Sequence, residues 1–344
     1  MLETTWFVLW GLLWAIYFML DGFDLGIGAL MPFIARNEEE RHTLYRAIGP
    51  FWDGNEVWLI TAAGVTFAAF PGTYAVMFSA LYSPLMVILF ALILRGAAVG
   101  FRSEVESHAA KRLCDALFFL GSVVPAVLFG VAFANIFKGI PIDGNGVFVG
   151  TIVDLLNPYG MLGGMLSLAA FLVHGALWLA IKTTGPLQKR MADFVQRAWL
   201  GLYAALGIFM FLFVLSRGQT ALGRGYIGKP TLFWLPVLAL ISLFCIFVFV
   251  RKRGWARAWT ASSVFLGLAL FSGVLGIYPA LLPSSLAPAF SMTIYNSASS
   301  PLTLKIMLGV ALVLVPVVII YQAWTFHLFR GKADGPDAVG KDVY

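Results

Sequence analysis

Two segments hold most of the residues able to do chemistry: DGFDLGIG, Asp21 to Gly28, and GPFWDGNEVWL, Gly49 to Leu59. They place four carboxyls, Asp21, Asp24, Asp53 and Glu56, inside or at the edge of apolar stretches. Taking an ionised Asp into hydrocarbon costs roughly 2.5–3.5 kcal/mol even on the lenient insertion scale, so such residues pair, take up a proton or line a polar path. The chemistry that these positions suggest is proton handling. Asp21 and Asp24 are three apart and share a helix face, while Gly22, Gly26 and Gly28 leave room for a close neighbour. The competing reading is static: an ion-pair network that fixes helix packing, or a set of helix caps. Asp53 and Asp115 stand where N-caps are expected.

The elements that must position these acids are transmembrane helices. With 344 residues, 60% hydrophobic and 12% charged, and a mean hydropathy of +0.87, the chain is too apolar for a soluble domain and reads as an all-α polytopic membrane protein. Runs long enough for a roughly 30 Å hydrocarbon core fall at Trp6–Met31, Val57–Phe70, Tyr74–Leu94, Leu113–Phe137, Tyr159–Ile181, Trp199–Leu215, Leu232–Val250, Ala258–Leu282 and Leu302–Phe329, about nine transmembrane helices. The second is short unless Asp53 and Glu56 belong to it. With a rise of about 1.5 Å per residue, Asp21 and Asp24 lie in the inner third of the first helix. Asp53 and Glu56 open the second on that side, Arg95 ends the third there, and Asp115 begins the fourth. Four consecutive helices thus bring titratable groups to one layer.

Of the 23 Lys and Arg, 18 fall in alternate connections that share one side if the N-terminus is outside, leaving Lys138, Arg217, Arg224, Lys229 and Lys305 opposite. The positive-inside rule places the N-terminus outside and the C-terminus in the cytoplasm. The net charge of +6 follows from this topology and from anionic lipid, and calls for no nucleic acid. The first helix lacks a basic start and a small-residue cleavage site and reads as retained. The longer connections, Arg36–Pro50, Lys138–Pro158, Ser216–Thr231 and Pro283–Pro301, hold no soluble domain. Pro71 to Thr73 reads as a tight outside turn, and Gly331 to Tyr344 as a polar, mobile cytoplasmic tail.

Cys114 and Cys245 fall on different helices without C-x-x-C spacing, so neither a disulfide nor a metal site is expected. His42 and His108 belong to inner loops and His327 to the inner end of the last helix; His174 alone lies mid-membrane. A bis-histidine haem needs two ligands at matching depth, so His174 reads as a hydrogen-bonded packing residue. Trp58, beside the second acidic segment, reads either as an interfacial anchor or as the lining of a gas or quinone path.

Taken with Arg95-Gly96, Phe101-Arg102, GVAFANIFKGIP at Gly130–Pro141, LLNPYG at Leu155–Gly160 and PSSLAPAFSMTIYNSASSPLTLKIM at Pro283–Met307, the two acidic segments resemble subunit II of cytochrome bd-type quinol oxidases, from the first helix to the last. The resemblance implies a single transmembrane domain over 1–330. It comprises two four-helix bundles, about 6–137 and about 159–282, a peripheral helix at about 302–329, and the tail at 331–344. It implies a terminal oxidase of the bacterial cytoplasmic membrane that couples quinol oxidation to the reduction of O₂ to water, with haem b and haem d ligated by a related subunit I. It leaves room for small accessory subunits and a bound quinone or lipid. By the same resemblance Asp53 and Asp24 belong to a cytoplasmic proton path, which Asp21 and Glu56 join by their place in the same acidic segments. Arg95 supports the haem site, and Trp58 lies near an oxygen entrance.

One departure is Gly100, where many relatives carry an acid two positions before Arg102; Glu56 stands where some have glutamine. Two other classes compete with this reading. A proton-coupled transporter would use the same acids, but transporters of repeat architecture place polar groups in both halves, and here the second half lacks intramembrane acids. A purely structural partner subunit would use the carboxyls for packing alone.

Overall fold

Alternation of long apolar runs with short polar connections produces a nearly all-helical protein. The computed structural model describes residues 1–216 and 218–334, the side chain of Val214 apart. The helices in chain order are α1 (Leu2–Ile34), α2 (Glu38–Ile48), α3 (Trp52–Ala69), α4 (Pro71–Ala80), α5 (Tyr82–Phe101), α6 (His108–Lys138) and α7 (Ile152–Leu155). They continue as α8 (Pro158–Lys182), α9 (Gly185–Leu215), α10 (Ala221–Gly228), α11 (Trp234–Arg251), α12 (Trp255–Ile277) and α13 (Pro301–Leu328). Among the described residues eight helices are long and apolar enough to cross a membrane: α1, α5, α6, α8, α9, α11, α12 and α13. The ninth expected span is α3, which begins at Trp52 and so includes Asp53 and Glu56. Those polar residues in its first turns dilute its apolar character.

The expected third span is two helices. α4 stops at Ala80, and Leu81 leaves the helical region (φ −104°, ψ 18°) before α5 begins. Pro84 has no N–H to give to the Ala80 carbonyl, so a continuous helix would lose that bond and meet the proline ring. Pro71 to Thr73 forms the first turn of α4 rather than a free turn, and only Phe70 separates α3 from α4. The inner connection at Arg36–Pro50 is largely helical as well. Asn37 caps α2 by accepting from the Glu40 amide at 2.8 Å, a pattern the Asn37-x-x-Glu40 spacing announces.

α1 forms the axis of the protein and packs against α3, α6, α8 and α12. Near its middle, Trp14, Tyr17 and Phe18 meet Phe129 and Phe133 of α6 edge-on, with ring centroids 5.2–6.3 Å apart. Further along, α1 and α8 touch backbone to backbone: a methyl group on Gly26 would overlap the Phe171 carbonyl, and one on Gly175 would meet the Gly26 carbonyl carbon at 2.7 Å. These contacts bury the DGFDLGIG segment along its whole length. α13 lies at the periphery, with only Leu304 of its residues buried.

On the face where α6 ends, β1 (Ala280–Leu282) and β2 (Met292–Thr293) form a short antiparallel pair. At the opposite end the start of the expected mobile tail is anchored. Lys332 Nζ donates to the Ile181 and Thr183 carbonyls at 2.7 and 3.1 Å, and the Ala333 amide donates to the Lys182 carbonyl at 2.7 Å. Unpaired carbonyls at the α8 C-terminus attract a cation, which accounts for this docking. The rest of the tail, with Lys341, lies outside the described residues, as does Arg217.

A candidate intramembrane proton site

The carboxyls of α1 become a site through α3 and α5. Asp21 and Asp24 are both fully buried. Arg95, on α5 and 1% exposed, donates from Nη2 to Asp21 Oδ1 at 2.7 Å and also to Glu56 Oε1 of α3. Asp24 accepts at Oδ2 from Asn55 Nδ2 at 2.7 Å. Two carboxyls, Asp21 and Glu56, therefore share one guanidinium, and a third, Asp24, lies one turn along α1 with an amide as its donor. Asp21 Oδ2, Asp24 Oδ1 and two Arg95 nitrogens, Nε and Nη1, have no hydrogen-bond partner among the described residues. Full ionisation would leave two uncompensated negative charges here. Buried charge of that kind is costly unless it is paired, so the arrangement suits a group that gains and loses protons.

The sequence-based layer is thus only partly assembled. Asp21, Asp24, Glu56 and Arg95 meet, but Asp53 and Asp115 do not join them. Asp53 is exposed, one turn before Glu56 on the open face of α3. Nor is it a cap: Phe51 occupies the N-cap of α3 without a side-chain bond. Asp115 lies two turns inside α6, whose N-cap is Ser107. The cap reading fails for both because the helices begin earlier than their apolar runs. Arg95 likewise sits inside α5, which continues to Phe101.

Asp115 belongs to a second cluster. It accepts from Arg41 Nη1 and Arg102 Nε, both at 2.7 Å, and from the Tyr45 hydroxyl at 3.2 Å. Arg102 Nη2 continues to Glu38 Oε1 at 2.8 Å. Burial, reinforced by the Asp115 charge, pushes the Tyr45 phenol far above its usual range and keeps it a donor. Nearby, burial pushes the Glu40 carboxyl up, but Arg190 and the Arg36 amide more than offset this and hold it below its usual range. With the Asp115 oxygens satisfied by three donors, this cluster fits the static packing role and fastens α2 to α5 and α6.

Sequence reasoning missed Asn55 and Gln322. Trp58, 3% exposed, donates its indole N–H to Gln322 Oε1 at 2.7 Å, and Gln322 Nε2 donates to Asn55 Oδ1 at 2.9 Å. The available signal was a lone amide in the apolar run of α13, since a polar group at membrane depth needs a partner. His174 is buried with both ring nitrogens engaged, Nδ1 with Ser262 Oγ at 3.0 Å and Nε2 with the Met19 carbonyl at 2.9 Å. It stacks on Trp259 with centroids 5.3 Å apart. Gly100 is exposed, with nothing within 4 Å of the place a side chain would occupy.

The family model for cytochrome bd terminal oxidase subunit II matches residues 2–329. The chain belongs to that family. It is 38% identical over 335 residues to the cytochrome bd ubiquinol oxidase subunit 2 of Bacillus subtilis (strain 168), covering 96% of each chain. It is 31% identical over 364 residues to the cytochrome bd-I ubiquinol oxidase subunit 2 of Escherichia coli (strain K12), covering 98% of this chain and 96% of that one. In fold it resembles a solved bd oxidase from Geobacillus thermodenitrificans, with a TM-score of 0.77 and 18% identity over 95% of this chain and 98% of that one. As a cytochrome bd subunit II it is a multi-pass membrane component of an oxidoreductase complex that contains haem and a subunit I. Of the four histidines, His174 has both ring nitrogens engaged, His42 is half-buried on α2, and His327 and His108 are exposed on α13 and α6.

Proposed function

We propose that this chain serves a quinol-oxidising, oxygen-reducing complex by packing against a subunit I that ligates haem b and haem d, and by carrying protons from the cytoplasm toward that subunit. The observation that carries this reading is a buried guanidinium, Arg95, that pairs with Asp21 and Glu56 beside a third, fully buried carboxyl, Asp24, which is bound by Asn55. Asp53, exposed one turn before Glu56, is placed to collect protons at the open face of α3. Glu56 is half-buried and linked to Asp21 through Arg95, and Asp24 is a fully buried acceptor one turn beyond Asp21 on α1. Arg95 holds the acids in register and, through them, supports the haem-bearing partner. The Lys and Arg bias supports an outside N-terminus and a cytoplasmic C-terminus, which puts this cluster on the cytoplasmic side, so turnover would take up protons there. The donor reading rests on the relatives' names, which specify ubiquinol.

The same proposal divides the chain into bundles at about 6–137 and about 159–282, with α13 peripheral and available to lipid, subunit I or a small accessory subunit. An apolar cavity of about 170 Å³ lined by Phe133, Phe137, Leu206, Phe213 and Phe265 has the character needed for a quinone or lipid tail. Trp58 is buried beside the polar cluster, where its ring could also border an oxygen path.

The test uses the assembled complex, with quinol-driven O₂ uptake normalised to haem. Asp24→Asn keeps the shape of the carboxyl but cannot exchange a proton near neutral pH, and we expect turnover to fall at least about tenfold at unchanged haem content. Asp53→Asn should slow turnover less, because an exposed collector can be bypassed by water. Undiminished turnover in both variants from pH 6 to 9 would remove the acids from the proton path.

A further inference from the structure

We infer that Trp58 and Gln322 act as positioning residues for Asp24, making Oδ1 of that carboxyl the oxygen that takes and releases the proton. This inference rests on the proton reading of Asp24 given above. An indole nitrogen can only donate. Trp58 therefore selects the carbonyl oxygen of Gln322, at 2.7 Å. That leaves the Gln322 amide nitrogen as the group facing α3, where it donates to Asn55 Oδ1 at 2.9 Å. With its oxygen taken, Asn55 can present only its nitrogen to Asp24 Oδ2, at 2.7 Å. Each amide could in isolation be turned either way. The donor-only indole removes that freedom from both.

The consequence for Asp24 is an asymmetry between its two oxygens. Oδ2 is held as an acceptor throughout, and Oδ1 has no hydrogen-bond partner among the described residues. A proton arriving at Asp24 bonds to Oδ1 and leaves from Oδ1; Asn55, Gln322 and Trp58 keep their own protons. The charged groups acting on Asp24 are Asp21 on its own helix, Arg95 on α5 and Glu56 on α3. From α8, His174 is turned toward the Met19 carbonyl and Ser262. The relay also gives α13 a function apart from its apolar surface. Gln322 is the residue through which the peripheral helix reaches the buried acids.

The experiment compares Trp58→Phe, Gln322→Met and their double variant in the assembled complex, reading haem content and the pH profile of haem-normalised O₂ uptake. Removing the indole donor frees the Gln322 amide to turn, and Asn55 is then oriented by the Asp24 anion alone, so the donor to Oδ2 is no longer held in both protonation states. A hydrogen bond to a charged group is strong enough that the profile should move about one pH unit toward alkaline pH. Because both substitutions break one chain, the double variant should move no further than either single variant. Asp24→Asn serves as the reference. If it is inactive while both single variants keep the wild-type profile, the relay is overturned and the proton reading survives. If Asp24→Asn is fully active, both are overturned. Should Trp58→Phe fail to assemble, an unmoved profile in Gln322→Met alone overturns the relay.

Discussion

Arg95 is the residue on which the buried charges depend. Its guanidinium joins Asp21 of α1 to Glu56 of α3 from a position on α5 that is 1% exposed. Removing one partner of such a group leaves the other charges uncompensated, typically at a cost of about 3–5 kcal/mol. Arg95→Ala should therefore lower the haem content of the complex more than the amount of membrane-inserted chain, measured by absorption spectrum and immunoblot on the same membranes. Normal haem content with normal turnover would reduce Arg95 to one of the 18 inside-positive residues. Arg102 is the informative comparison. It also bridges two acids, but Glu38 is half open to solvent, so its loss should be milder.

At the scale of the elements, the close approach of α1 and α8 decides where the acids stand. A methyl group at Gly26 would overlap the Phe171 carbonyl, a backbone atom that can yield only if the two helices separate. At Gly22 the obstacle is the Phe171 ring at 2.8 Å, the far end of a side chain, and at Gly54 nothing lies within 4 Å. Overpacking of a close-packed interface costs typically about 1–3 kcal/mol. Thermal melting of the purified complex should thus show Gly26→Ala lowering the midpoint clearly, Gly22→Ala less, and Gly54→Ala scarcely at all. Equal midpoints for the three would mean that α1 and α8 separate without resistance. The break between α4 and α5 belongs to this scale as well: Pro84 ends a helix that hydropathy alone draws as continuous.

For the whole molecule, the proposed division of labour with subunit I is tested by whether this chain alone can hold a haem. His174 spends both ring nitrogens on Ser262 and Met19, and a low-spin haem needs two axial ligands. The chain purified without its partner is expected to show no stoichiometric b-type absorption, and the spectrum should return when subunit I is co-expressed. A persistent b-type spectrum from the chain alone would relocate a ligand to this subunit. The exposed apolar faces agree with a chain built for assembly and lipid. α13 exposes Ile306, Leu312, Ile319 and Trp324, and α3 exposes Val57, Ile60 and Phe67.

Hydropathy, the inside-positive count and the two acidic segments were enough to read an all-helical membrane protein and to single out a layer of Asp21, Asp24, Asp53, Glu56, Arg95 and Asp115, because each of these signals is local. A span needs about 20 apolar residues in a row, and a carboxyl among them needs a reason wherever it points. Partners are not local. Arg95 lies 74 residues from Asp21 and Gln322 lies 267 from Asn55, so no spacing rule joins them, and only helix packing does. Packing also separated Asp53 and Asp115 from the cluster with which their expected depth grouped them. Asp53 turned to the open face of α3, and Asp115 found Arg41, Arg102 and Tyr45 first. Which acids are present was settled by the residues themselves; which of them share a guanidinium was settled by where the fold sets α5, from which Arg95 reaches Asp21 of α1 and Glu56 of α3.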